Sequence, residues 1–212
     1  MRARAVVLLL LTACVATGCR GRSAGAAHAK SATRPSPALA ATTRSTAATT
    51  AVAAVGETKL FEDRAHGFSI RYPAGWTLRN DPEDVFTADA RPNDETGPEL
   101  SVAVPKLPAH VPGMVPLGAV QSGYVDDLRK RLRDVRTEQE ETGGIAIPAA
   151  HLRKFSATGK DDKGERKLEV LIVYRNDRLY IVTAEAPAAE VEKSQAAFDQ
   201  AVGSWKWADG NR

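Results

Sequence analysis

The chain has 212 residues, with 29 Lys or Arg against 26 Asp or Glu and only two cysteines. Every charge up to Gly56 is basic, whereas Glu57 to Arg212 carries 22 basic and 26 acidic residues, so the formal +3 belongs to the N-terminal stretch. A net-acidic remainder argues against nucleic-acid binding, and with no cysteine after Cys19 it has no disulfide, thiolate metal site or cysteine nucleophile.

Arg2 and Arg4 precede an apolar run from Ala5 to Ala13. A run of about nine residues suits a secretory signal and is far short of the roughly 20 residues a membrane-spanning helix needs. No later run approaches that length, so a transmembrane chain is not expected. Cys14 follows Leu11-Thr12-Ala13, and Cys19 follows Ala16-Thr17-Gly18. Both resemble a bacterial lipobox, which implies a diacylglycerol-modified, palmitate-bearing cysteine at the mature N-terminus. Leu11 suits the box better than Ala16, but cleavage before Cys14 leaves a short leader. Cys19 is therefore the favoured acceptor and Cys14 the alternative. Plain secretion after cleavage near Ala13 or Gly18 remains open.

The expected organisation is a signal peptide over 1–18, a tether over 19–56 and a domain over 57–212. The tether is Ala, Thr, Ser and Pro with scattered basic residues and no aromatic. Such a composition buries too little apolar surface to offset chain entropy, which predicts disorder. About 5–6 Å × √n gives it an end-to-end distance of roughly 30 to 35 Å. Its basic residues would either favour anionic lipid or simply keep it solvated.

In the domain, Lys59–Glu62 reads as a first strand. Phe68, Ile70 and Tyr72 then alternate with Ser69 and Arg71, closed by Pro73-Ala74-Gly75. Trp76 and Leu78 open another short run. Val85–Asp89 and Leu100–Val104 read as strands around a turn-rich acidic loop, Arg91–Glu99. Pro105–Pro116 holds four prolines, which excludes helix and central strand. Its apolar residues Leu107, Val111, Met114 and Val115 either tuck under the domain or form a docking surface for a protein partner.

Leu117–Val135 is the clearest predicted helix, with Leu117, Val120, Tyr124, Leu128, Leu132 and Val135 on one stripe. Arg136–Thr142 is an expected edge strand. Ala149–Thr158, Arg166–Arg175 and Arg178–Glu185 follow as strands. The second is apolar on both faces, the mark of a central strand. Asn176-Asp177 predicts a two-residue hairpin turn. Pro187 opens a last helix with Val191, Gln195, Phe198 and Val202 as its stripe, and a tryptophan after it pins the C-terminus to the sheet. The order predicts an α+β domain, an antiparallel sheet flanked by helices.

The strings Phe61-Glu62-Asp63 and Gly67-Phe68-Ser69-Ile70-Arg71-Tyr72-Pro73-Ala74-Gly75-Trp76 resemble the opening of the PsbP/Mog1-like superfamily. Phe198…Val202-Gly203-Ser204-Trp205-Lys206-Trp207 resembles its ending. The resemblance spans about Lys59 to Trp207 and implies an α/β/α sandwich. It also implies a non-catalytic accessory, assembly or binding role, with no catalytic motif to transfer.

The residues offer few sites of their own. His28, His66, His110 and His151 lack metal-ligand spacing. No G-x-S-x-G, P-loop or H-E-x-x-H string occurs. Asp161-Asp162 with Gly164, and Asp94-Glu95 with Glu99, lack the spacing of a calcium loop. Trp76, Trp205 and Trp207 either plug the core or line a ligand pocket. The expectation is a lipid-anchored binding or scaffolding module in the bacterial cell envelope, without a cofactor and with an extracytoplasmic protein partner. A lipid or small-molecule carrier is the alternative. A hydrolase built on His66 or His151 is disfavoured by the missing nucleophile motif.

Overall fold

The computed structural model describes residues 56–91, 96–107, 115–145, 147–148 and 150–209. The expected signal peptide, both cysteines and almost all of the expected tether lie outside them, as do Val111, Met114, His28 and His110.

Three strands, β1 (Thr58–Asp63), β2 (Phe68–Pro73) and the C-terminal β10 (Lys206–Trp207), form a small antiparallel sheet in the order β1-β2-β10. Seven others form the main sheet: β3 (Thr77–Leu78), β4 (Phe86–Asp89), β5 (Glu99–Ala103), β6 (Arg133–Glu140), β7 (His151–Lys160), β8 (Glu165–Arg175) and β9 (Arg178–Pro187). Their spatial order is β3-β4-β5-β9-β8-β7-β6, every pairing antiparallel. Helix α1 (Leu117–Arg131) joins β5 to β6. A 3₁₀ turn (Ala188–Glu190) leads into α2 (Val191–Gly203).

Strands β8 and β9 lie near the middle of the main sheet because both of their faces are apolar. Val170, Ile172, Leu179 and Ile181 pack under α1 with Val120, Leu128 and Phe155. Leu171, Val173, Tyr180 and Val182 face the other way, into a core shared with Phe68, Ile70, Ala197 and Phe198. Helix α2 touches β9 and β5 of the main sheet and β2 of the small one, so it joins the two. The expected α+β architecture, an antiparallel sheet flanked by helices, is what the chain forms. The small sheet is an addition to it.

The hairpin β8–β9 turns at Asn176 and Asp177, with φ of 49° and 57°. That is the positive-φ geometry these residue types tolerate in a two-residue turn.

Three sequence expectations need correction. The α1 stripe was expected to run to Val135, but the helix stops at Arg131 and β6 begins at Arg133. Leu132 already takes extended backbone, φ −122° and ψ 141°, and a bulge follows inside β6, where Asp134 takes φ 54° and the register slips between Arg133 and Arg136. Leu132 and Val135 still reach the α1-side core, by strand rather than helix geometry. The buried face of α2 is Ser194, Ala197, Phe198, Ala201 and Val202, with Val191 and Gln195 at its margin. The last helix proper begins at Val191, after the 3₁₀ turn, rather than at Pro187.

Candidate functional site

Phe68, Tyr180, Trp205 and Trp207 converge at the seam between β2 and the segment that follows α2. Trp207 pairs with Phe68 and Lys206 with Ser69 across β10 and β2. The Trp205 ring stacks on Phe68 at 4.7 Å and 11°. Tyr180 meets both indoles edge-on, at 5.8 and 5.3 Å. The guanidinium of Arg175 lies 4.6 Å from the Trp207 ring centre and donates to Asp209 Oδ1 at 3.0 Å. Trp207 Nε1 donates to the Pro148 carbonyl at 3.1 Å. Trp205 and Trp207 are buried, and Trp76 is half-buried against the same core. The three indoles thus share one core, and the faces of Trp205 and Trp207 are covered by protein side chains.

Among the four apolar residues expected in the Pro-rich loop, Val115 is buried and Leu107 partly so, both against the α1-side core. Val111 and Met114 lie outside the described residues.

His66 sits in the turn between β1 and β2. Asp63 Oδ1 accepts the N–H of Ala65 and of His66, and its Oδ2 lies 2.7 Å from His66 Nδ1. The turn is tied to the β8–β9 end by Tyr180, whose hydroxyl donates to the His66 carbonyl at 2.8 Å, and by Arg178, which donates to the Ala65 carbonyl. Burial raises the Tyr180 phenol above its ordinary range. His151 is exposed, its ring 6.5 Å from that of Tyr174. Among the described residues, neither histidine has a serine as a hydrogen-bond partner. Among the described residues no group of three or more His, Cys, Asp or Glu is arranged to hold a metal. Asp161 accepts the N–H of Lys163 within its own hairpin loop, and Glu99 accepts from Arg79. Asp94 and Glu95 lie outside the described residues.

Two polar constellations are invisible in the linear sequence. The first is a row of carboxylates across three strands, Asp89 opposite Glu99 and Glu99 opposite Glu185. Like charges directly opposed in a sheet destabilise it, and arginines compensate. Arg79 donates to Asp89 at 3.0 Å and to Glu99 at 2.7 Å. Arg131, in the last turn of α1, makes a two-pronged contact with Glu185 at 3.1 and 2.8 Å. Arg166 donates to Glu185 at 3.1 Å and to the Thr96 carbonyl at 2.6 Å. Glu185 and Arg166 are 1% and 2% exposed, so this network is interior. It docks the end of α1 on the sheet.

The second lies on the α2 side, where Lys154 of β7 is flanked by Glu140 of β6 at 2.7 Å and Glu169 of β8 at 3.4 Å. Burial pushes the Glu169 carboxyl up to about 7; Lys154 opposes this and the Glu140 charge adds to it. Glu140 is lowered: burial acts against ionisation, but hydrogen bonding and attraction to Lys154 prevail. Lys154 is raised: its burial is outweighed by the two carboxylates. Lys154 Nζ also stands 5.5 Å from the Phe198 ring centre. No spacing rule would have found either set, since their members lie on different strands. Only the register brings them together.

An antiparallel main sheet with one helix on each face and a terminal aromatic seam defines a PsbP-like sandwich. A sequence profile of the PsbP family matches residues 56–207, and the chain belongs to that family. No curated protein matches it. Among solved structures it is similar to cyanobacterial PsbP (CyanoP) from Synechocystis sp. PCC 6803, at 15% identity and TM-score 0.49, covering 73% of this chain and 96% of that one. It is also similar to LpqN of Mycobacterium tuberculosis, described as involved in cell envelope biogenesis. There the identity is 13% and the TM-score 0.48, covering 70% of this chain and 89% of that one.

Proposed function

We propose that the protein is a lipid-anchored extracytoplasmic lipoprotein whose PsbP-family domain serves as a non-catalytic binding or scaffolding module. The leader from Arg2 to Ala13 and the small residues before Cys19 support the anchor. The observation that carries the second half is the use made of interior charge. Glu99, Glu185, Arg166 and Arg175, the most buried charged groups, are each held by an opposite charge in contacts that fix strands and helix ends. Among the described residues, no acid, base and nucleophile converge on a common point.

Labelling with radioactive palmitate in a bacterial host, followed by membrane fractionation, tests the anchor. The wild-type chain should be labelled and sediment with membranes, and Cys19→Ala should lose both properties. Label retained by Cys19→Ala and lost from Cys14→Ala would move the acceptor. Label absent from the wild type would overturn the anchor. In-cell crosslinking from Val111 and Met114 tests the binding role. A partner captured by the wild type and lost on Val111→Ser/Met114→Ser, with an unchanged melting temperature, would place the docking surface on the Pro-rich loop. A carrier would instead have to seat its ligand near Trp76, the least covered of the three indoles. Quenching or shift of tryptophan fluorescence on adding lipid vesicles would favour that reading.

A further inference from the structure

We propose that β6, the edge strand of the main sheet, pairs antiparallel with β6 of a second copy, joining two main sheets across a twofold axis at Thr137. The strand is eight residues long, contains no proline, and among the described residues has β7 as its only neighbour in the sheet. Its residues from Arg133 to Gln139 are exposed except for Val135, which is half-buried. Such an edge presents unsatisfied backbone donors and acceptors, a template for another strand.

The sequence of the edge selects the partner. Edge strands are usually kept apart by charge, and a single-signed strand would repel its own copy. The segment Val135-Arg136-Thr137-Glu138-Gln139 instead balances one cation against one anion. Neither Arg136 nor Glu138 has an ion-pair partner among the described residues. They share the face that carries Glu140, because side chains alternate along a strand. A shift of one residue in the pairing would put side chains on the wrong faces, so only registers two residues apart compete.

With Thr137 opposite Thr137 of the second copy, Arg136 meets Glu138 and Glu138 meets Arg136, while Val135 meets Gln139. Sliding the pair by one allowed step in one direction sets Arg136 against Arg136. Sliding it the other way sets Glu138 against Glu138. One register therefore satisfies every charge, and symmetry provides the pair twice. The bulge at Asp134 ends the ladder on one side. On the other, Lys154 holds Glu140 back from the edge. The interface is five rungs long and belongs to the weak, concentration-dependent class.

Sedimentation velocity of the full chain from about 10 µM to about 1 mM, a range suited to small interfaces, reads the association. The wild type should shift from monomer to dimer, and amide exchange over residues 135–139 should slow as concentration rises. Arg136→Glu and Glu138→Arg should each weaken the dimer by about tenfold or more, since each turns both symmetric pairs into repulsions. The double reversal Arg136→Glu/Glu138→Arg should restore wild-type association within about threefold, because the pattern is again self-complementary. These side chains are exposed, so the melting temperatures should stay unchanged. A monomer at about 1 mM, a dimer indifferent to single reversals, or a double variant as weak as the singles would each overturn the pairing.

Discussion

Glu185 is the residue whose loss should cost the fold most for the fewest atoms. Replacing it with leucine keeps the volume and removes charge-assisted hydrogen bonds that include two from Arg131 and one from Arg166. The two arginines are not equally stranded. Arg131 is 28% exposed at its side chain and can be rehydrated, whereas Arg166 is 3% exposed and cannot. Breaking a buried pair by removing one partner typically costs about 3–5 kcal/mol. Arg166 keeps the Thr96 carbonyl and has Asp161 at 3.8 Å, which places the expected loss near the lower end, about 3 kcal/mol. With a urea slope of about 2 kcal/mol/M, the midpoint should fall by roughly 1.5 M. The double variant Arg166→Met/Glu185→Leu should recover part of that loss, because no buried charge is then left without its counterion. A Glu185→Leu midpoint within about 0.3 M of wild type, or a double variant less stable than the single, would refute the view that Arg166 is held in the interior by this carboxylate.

Three further outcomes follow from the same structure. Glu169 carries a carboxyl raised from 4.5 to about 7, so the folded state binds more protons than the unfolded state between those values. Stability should therefore fall as pH rises through that window, by on the order of 1–3 kcal/mol. In urea titrations Glu169→Gln should flatten that slope. The lowered Glu140 acts only below 4.5 and the raised Lys154 only above 10.5, so neither masks it. Phe198→Ala removes a fully buried ring shared by α2 and both sheets and should cost about 3–5 kcal/mol in thermal or chemical unfolding. Gly159→Ala should destabilise by about 1–3 kcal/mol, because a Cβ there would stand 2.9 Å from Leu132 Cβ and 3.3 Å from the Arg133 carbonyl. An alanine variant as stable as wild type would mean that β6 yields at its bulge.

The parts of the fold that were legible are those where local chemistry and long-range packing agree. Asn176-Asp177 between two apolar runs identified the β8–β9 hairpin, and the two-faced run in β8 located the middle of the sheet. The end of α1 was not legible because Leu132 and Val135 fit a helical stripe as well as they fit a strand, and the extended backbone at Leu132 decides between them. The α2 face was legible at Phe198 and Val202 but missed at its small residues, because helical periodicity stands out only in large apolar side chains. The sheet also receives Ser194, Ala197 and Ala201, whose small size lets the helix approach closely. The aromatic strings near the two ends were recognisable as a family signature, but their reason is spatial. Phe68 and Trp205 are one stacked pair. The Glu185 and Lys154 constellations were hidden altogether, since an alternating charged strand looks solvated until its neighbours in the register are known.

The small sheet has a consequence for how the chain is made. Its middle strand is synthesised long before Lys206 and Trp207, which complete it. The Arg71 N–H waits likewise for the Ser204 hydroxyl, and the Gly67 carbonyl for Ala208. Contacts of such wide sequence separation form slowly. A chain that has not yet delivered Ser204 to Trp207 holds Phe68, Ile70 and Tyr72 without their final cover, so premature termination anywhere before Ser204 yields a product that exposes this seam to proteases.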